Sequence, residues 1–291
     1  MLTIAISGYG RMGKLYKEII QNNSLCNLEC IFTNKIENDK IPMYKPLDLK
    51  NKLIEKKINA LFVCSPTKFH YEQIKVALNL SINVFCEKPI CNDINKIKEL
   101  YNLSKEKGCI LFCAFNRRYD PYINNIKDKY LENKLNIDHI LVISRDFPLP
   151  DKKYIDLTSQ FHRDSIIHDI DMICWIVGDY PVSIYSKGIV KNNNLKKYDN
   201  AVTHFVFKDN LSATIISSRY SPYYEQRIEL LGTKPTILLS IKSNGFLERY
   251  KKSYCNEVEC FVDNVLHRKS NIVSMTECLK THEIVELCIK N

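Results

Sequence analysis

The chain has 291 residues, enough for two domains, with 45% hydrophobic and 26% charged residues, the balance of a folded globular protein. No apolar run reaches the roughly 18 residues of a membrane span, so no membrane partner is expected. The net charge of +9 comes from lysines scattered among Asn and Ile, with no basic stripe alternating with aromatic residues, so no nucleic-acid partner is expected.

There are twelve cysteines and no C-x-x-C spacing. Most sit in apolar runs (Cys64, Cys86, Cys113, Cys174), which predicts buried free thiols and no metal site. The chain opens directly on the strand-like "LTIAISG" rather than on a leader, so a cytoplasmic protein is expected.

"LTIAISGYGRMGKLYKEII" reads as strand, glycine turn and helix. Gly8, Gly10 and Gly13 form G-x-G-x-x-G. The first permits the tight turn, the second lets backbone approach a pyrophosphate, and the third lets helix pack close to strand. A helix starting at Arg11 and Met12 offers free N–H groups and a positive dipole end to phosphates. These five residues are the candidate cradle for NAD or NADP. The second strand is "LECIFTN". About 20 residues past the glycines an NAD site places an acid on the ribose hydroxyls. Asn34 stands there, followed by Lys35, which leaves both cofactors open.

Residues 38–57 are polar, with two prolines and room for one helix near 47–57. Then come a buried strand in "INALFVCSPTKFH", a helix in "YEQIKVALNLS", a strand in "INVFCEKPI", a helix in "DINKIKELYNLSKEKG" and a strand in "CILFCAFNRRYDP". Alternation of this kind predicts an α/β fold with a doubly wound parallel sheet. Ligands bind such sheets at the carboxyl ends of the strands, where Gly8, Pro66, Lys88 and Asn116 stand. Pro89 makes a cis peptide plausible after Lys88.

Residues 164–177, read as one helix, carry an apolar stripe (Ile166, Ile170, Ile173, Val177). A second face bears Asp164, His168, Asp171 and Trp175. A charged face that includes a tryptophan suits a cleft better than open water. Gly178 and Pro181 end the helix. Beyond residue 180, "VSIYSKGIV", "AVTHFVFK", "LSATIISSRY", "RIELLGT" and "TILLSIK" read as short strands, and the tail reads as helices that pack back on that sheet.

The pieces "GYGRMG", "CSPTKFH", "CEKP", "FNRRYDP" and "RDSIIHDID" together resemble the Gfo/Idh/MocA oxidoreductases, and within them most closely the inositol 2-dehydrogenases. The resemblance implies a Rossmann domain over 1–118 and a substrate-binding and oligomerising α+β domain over 119–291, built on an open, mostly antiparallel sheet. It implies cofactor contacts from the glycine loop, Asn34, Lys35, Ser65, Pro66, His70, Glu87, Lys88, Asn116 and Arg117. It implies a catalytic group of Lys88, Asp164 and His168. Arg145 and Tyr224 join that group on the substrate side, where Asp146 also falls. A base near neutral pKa suits removal of an alcohol proton, an ammonium suits a developing alkoxide, and hydride transfer to nicotinamide needs no metal.

The activity so implied is oxidation of a secondary alcohol of a cyclitol or sugar, with myo-inositol foremost, by a homodimer or homotetramer. Two alternatives stand beside it: a relative acting on another sugar or a dihydrodiol, and a non-catalytic NAD(P)-sensing regulator. Three features depart from the family pattern: Ser159 and Gln160 replace a Gly-Gly pair, Asn34 replaces an acid, and the stretch from Asn34 to Leu61 is short.

Overall fold

Short runs of apolar residues, most of them followed by a helix, build a first sheet in which every strand is parallel to its neighbours. The computed structural model describes residues 1–149, 155, 160–191, 197–233, 236–267 and 272–290. The chain divides into two units, one of Met1–Phe115 with Tyr254–Leu279, the other of Asn116–Ser253 with Lys280–Asn291.

In the first unit the order is β1 (Leu2–Ser7), α1 (Arg11–Gln21), β2 (Cys26–Phe32), β3 (Met43–Tyr44), α2 (Leu49–Glu55), β4 (Ala60–Val63), α3 (His70–Asn79), β5 (Asn83–Glu87), α4 (Ile94–Glu106) and β6 (Leu111–Ala114). The strands lie as β3-β2-β1-β4-β5-β6, the doubly wound arrangement. Two-residue β3 is too short for periodicity to reveal. Strand β4 is buried at all four positions, as a parallel strand covered on both faces must be. Asp93 caps α4 by accepting from the backbone N–H groups of Asn95 and Lys96.

Phe62, Phe85 and Phe112, one from each of three adjacent strands, stack with centroids 4.4 and 5.1 Å apart. Phe261 meets all three edge-on at 5.4 to 5.6 Å. Burial of each such ring contributes about 1.5–3 kcal/mol. This corrects the expectation that the tail packs wholly on the second sheet. The apolar face that takes Phe261 is a ladder of phenylalanines from three strands, which helical spacing in the tail cannot identify.

In the second unit follow α5 (Pro121–Asn133), β7 (Ile137–Arg145), α6 (Ile167–Val177), β8 (Ser183–Ile189), β9 (Asn200–Val206), β10 (Ser212–Ser218), β11 (Tyr224–Gly232), β12 (Ile237–Ser243) and α7 (Phe246–Arg249). Helices α8 (Lys251–His267) and α9 (Met275–Lys290) complete the chain. The second sheet runs β12-β11-β7-β10-β9-β8 and is antiparallel except where β10 meets β7. Its inner face carries Ile140, Val142, Phe205, Ala213, Ile215, Ile228 and Leu230, all buried. Asp120 caps α5 with Pro121 at the first helical position, and Gly178 (φ 75°) closes α6 in the left-handed conformation.

The stretch 164–177 is not one α-helix. His162–Ile166 forms a π-helical turn, and the α-helix starts at Ile167. The wider turn moves Asp164 out of the 3.6-residue register of α6, so the single face expected from Asp164 to Trp175 is broken. Strand β6 also ends earlier than expected, at Ala114, and Asn116–Tyr119 is a 3-10 turn.

Candidate active site

The tight turn after β1 is held by steric necessity. Gly8 has φ +97°, and a Cβ there would overlap the backbone of Cys64 and Ser65. A Cβ on Gly13 would overlap the carbonyl oxygen of Gly8, so helix and turn are in backbone contact. Gly10 differs: nothing lies within 4 Å of the place its Cβ would take. Helix α1 begins there with no side-chain cap and no acidic residue in its first turn, so its leading N–H groups keep their positive end unopposed by carboxylate. Arg11 is exposed and Met12 half-buried at this helix start.

At the end of β2, Asn34 and Lys35 are both exposed. The Lys35 ammonium lies 3.5 Å from Glu37, which is also 3.4 Å from Lys14, and Lys45 donates to the Asn34 carbonyl at 2.7 Å. The shortened loop folds back on the glycine turn, where the Tyr9 hydroxyl donates to Asp39 at 3.1 Å and Lys17 pairs with the same carboxylate. A backbone N–H from Ile41, then Lys17, hold the Asp39 carboxyl at about 2.

Ser65 and Pro66 follow β4, Glu87 ends β5 and Lys88 follows it, so all four stand at strand carboxyl ends. The Lys88–Pro89 bond is cis. His70 is buried, with Nδ1 2.9 Å from the Pro89 carbonyl and Nε2 2.6 Å from that of Ser65. Half-buried Glu87 accepts at 2.8 Å from the hydroxyl of Tyr16, which also lies 3.4 Å from Glu257, itself fully buried. Burial pushes the Glu87 carboxyl up, against the pull of Lys88 and of the Tyr16 bond.

In the second unit, Asp164 sits in the π-turn and His168, half-buried, in the first turn of α6. Arg219, at the end of β10, is 2% exposed and donates from Nη2 to Asp164 Oδ2 at 2.6 Å. Its guanidinium also lies over Phe161, 4.9 Å from the ring centroid. Among the described residues its Nε and Nη1 meet no hydrogen-bond partner. Asp146 follows β7, with the Ser165 hydroxyl 3.5 Å from its carboxylate. Burial pushes the Asp146 carboxyl up and Arg219 opposes that shift.

The remaining charges of α6 face inward. Asp169 accepts from Ser144 Oγ at 2.8 Å and pairs with buried Arg117. Asp171, fully buried, takes two bonds from Arg118, at 2.8 and 2.7 Å, and a third at 3.3 Å from Thr281. Trp175 receives the Lys127 ammonium 3.8 Å from its ring centroid. Asp171 and Trp175 thus have structural partners rather than an open cleft.

Two family descriptions match the chain. Residues 2–115 match an oxidoreductase family with an NAD-binding Rossmann fold, and residues 142–238 match the GFO/IDH/MocA C-terminal domain. The uncharacterised oxidoreductase YrbE of Bacillus subtilis is 30% identical over 91% of this chain and 86% of its own.

The chain belongs to the GFO/IDH/MocA oxidoreductases. The myo-inositol 2-dehydrogenase of Thermotoga maritima is 28% identical, covering 91% of this chain and 88% of that one. The solved structure of a putative myo-inositol dehydrogenase from Sinorhizobium meliloti superposes with a TM-score of 0.90 at 21% identity, over 100% of this chain and 97% of that one, and shares its fold.

The glycine loop of this GFO/IDH/MocA chain fits the NAD of its family. Room at Gly10 and an uncapped helix start are what a pyrophosphate requires. Among the other residues singled out in the sequence, Asn116 and Arg117 are buried, Asn116 against Ser253 and Arg117 against Asp169. Tyr224 is buried beside Tyr250, with ring centroids 6.4 Å apart, and burial pushes its hydroxyl well up. Arg145 pairs at 3.2 Å with its cross-strand neighbour Glu225, on the face of the sheet away from Ser144. Ser144, Asp169, Arg219, Arg118 and Tyr16 escape a sequence reading because their partners lie far away in the chain. Ser159 lies outside the described residues.

No helix among the described residues is long and apolar enough to cross a membrane. All twelve cysteines are free thiols.

Proposed function

We propose that this oxidoreductase oxidises a secondary alcohol of a cyclitol or sugar, with myo-inositol as the first candidate. The carrying observation is half-buried His168 in the first turn of α6, four residues after Asp164, whose carboxylate is held by buried Arg219. The name of the Thermotoga relative, matched over nine-tenths of this chain, supports the substrate class.

Each role follows from the chemistry of its group. His168 takes the hydroxyl proton, because an imidazole titrates near neutral pH. The Lys88 ammonium stabilises the alkoxide as it forms and passes the proton on. Asp164 orients these cations or accepts from a second hydroxyl of the substrate. When bound, the nicotinamide accepts the hydride, so one alcohol gives one ketone, one reduced cofactor and one proton. Ser65, Pro66, Glu87, Asn116 and Arg117 belong to the cofactor side of the proposal, and Arg145 and Tyr224 to its substrate side. His70, expected from the sequence as a cofactor contact, has both ring nitrogens turned to the carbonyls of Ser65 and Pro89 instead. The cofactor function is assigned to residues 1–118 and the substrate function to 119–291.

The cofactor proposed is NAD, with NADP as the competing case. Glu37 sits between Lys14 and Lys35, and its carboxylate disfavours a 2′-phosphate there. The protein is proposed to be cytoplasmic, in keeping with its free thiols, and to self-associate through the outer face of the second sheet. That face exposes Tyr185, Ile189, Val202, Ile216 and Leu238.

The test is formation of reduced nicotinamide from NAD or NADP, with myo-inositol, scyllo-inositol and a panel of aldoses. Turnover of a cyclitol that disappears in His168→Ala is the expected result. Tight NAD binding without turnover on any polyol favours a sensing role and removes the dehydrogenase reading.

A further inference from the structure

His70 is 2% exposed and opens α3, yet neither ring nitrogen bonds to its own helix. Nε2 lies 2.6 Å from the carbonyl oxygen of Ser65, in the loop after β4. Nδ1 lies 2.9 Å from the carbonyl oxygen of Pro89, in the loop after β5. The two loops leave adjacent parallel strands, paired from Ala60 and Asn83 to Val63 and Cys86. Beyond the last rung, nothing in the sheet ladder fixes their separation.

A second side chain from the same helix strengthens one end of this bridge. Gln73 accepts from the Ser65 hydroxyl at 2.8 Å. The backbone N–H of Ser65 lies against Gly8, where even a Cβ would not fit. Glycine turn, Ser65 loop, imidazole and Lys88–Pro89 loop therefore form one continuous series of contacts within the first unit.

We infer that His70 is a positioning residue that sets the place of Lys88 relative to the glycine turn, and that it makes no contact with the cofactor itself. The role of Lys88 rests on the proposed dehydrogenase reading; the tie between the loops does not. Carbonyl oxygens only accept, so both contacts are hydrogen bonds only when both ring nitrogens carry hydrogen. Burial first, and the charge of Lys88 in addition, push the imidazole pKa down. With a single hydrogen the ring keeps the shorter bond, to Ser65, and still fills the space between the loops. Cys86, whose Sγ is 3.4 Å from Nδ1, lines that space.

The bridge is tested by amide hydrogen exchange on the whole protein without ligand, comparing wild type with His70→Phe, which keeps the bulk, and His70→Gln, which keeps one donor. Peptides covering 62–68 and 86–92 should exchange about tenfold faster in His70→Phe, with a smaller change in His70→Gln. Peptides from β2 and from the second sheet should not change. An increase confined to residues 67–72, or none, overturns the inference. Should His70→Phe fail to fold, Gln73→Leu with His70→Gln supplies the same comparison.

Kinetics then separate positioning from simple support. The kcat of His70→Gln should fall about tenfold, with the KM for the alcohol and the affinity for NAD each within about threefold. A loss of NAD affinity with kcat intact makes His70 a cofactor ligand and overturns the inference. Absence of turnover in the wild type on every polyol defeats the dehydrogenase reading, while the exchange experiment still decides the bridge.

Discussion

Arg219 donates from Nη2 to Asp164 Oδ2 at 2.6 Å, the guanidinium buried and the carboxylate side chain 14% exposed. The strand end that carries Arg219 thereby fixes the carboxylate one turn ahead of His168. Replacing Arg219 by Met removes the donor and leaves a poorly solvated carboxylate. We expect kcat/KM to fall about a hundredfold, about 2.7 kcal/mol, with NAD affinity unchanged. Arg219→Lys keeps the charge but loses the fork and should recover only part of the activity. Steady-state kinetics with titration of NAD fluorescence quenching checks this; a kcat/KM within threefold of wild type in Arg219→Met removes Asp164 from the proposed catalytic group.

The glycines of the cofactor turn should separate in their effects. Gly10→Ala meets nothing within 4 Å, so its melting temperature should match wild type while NAD affinity falls at least tenfold, about 1.4 kcal/mol. Gly13→Ala overlaps the Gly8 carbonyl and should cost about 1–3 kcal/mol of stability as well as binding. Equal NAD affinity in Gly10→Ala and wild type contradicts the pyrophosphate cradle.

His162 is fully buried, with Nε2 3.0 Å from Ser186 Oγ, and burial lowers its pKa to about 4. An unfolded chain protonates histidine near 6.5, so between that value and about 4 the unfolded state binds the extra proton. The contribution of neutral His162 is therefore complete above about pH 6.5 and is lost as pH falls toward 4, a change of about 3 kcal/mol. Denaturant unfolding at several pH values should show wild type losing that much more stability than His162→Gln. Parallel curves for the two proteins contradict the shift.

The outer face of the second sheet places Val202 directly beside Ile216 across the β9–β10 pair, both exposed. If this face joins two copies, Val202→Glu with Ile216→Glu should turn an oligomer into a 34.0 kDa monomer in sedimentation. A wild type that sediments as a monomer at micromolar concentration ends that proposal.

The extra Asp and Arg residues around the site show why the sequence reads unevenly. Arg117 pairs with Asp169, Arg118 with Asp171 and Arg219 with Asp164, over separations of 52, 53 and 55 residues. Helical periodicity compares positions only a few residues apart, so it puts Asp171 on a cleft-lining face when its carboxylate is fully buried against Arg118. The same blindness misses Phe261, whose partners are rings on three strands far earlier in the chain.

What the sequence by itself determined is whatever rests on neighbouring residues. The close packing of helix on turn follows from sterics between Gly8 and Gly13, the parallel strands from continuous apolar runs, and the helix stop from a glycine at 178, which takes the left-handed conformation at little cost. The alternation of strand and helix then leaves few ways to order the first sheet. Only the tertiary structure decided which charges are buried in pairs, that a π-turn over His162–Ile166 precedes the α-helix starting at Ile167, that Arg145 and Ser144 leave β7 on opposite faces, and that His70 spans two loops. Those outcomes depend on desolvation and packing between segments that meet only in the folded chain, where a carboxylate either finds its guanidinium or cannot be buried at all.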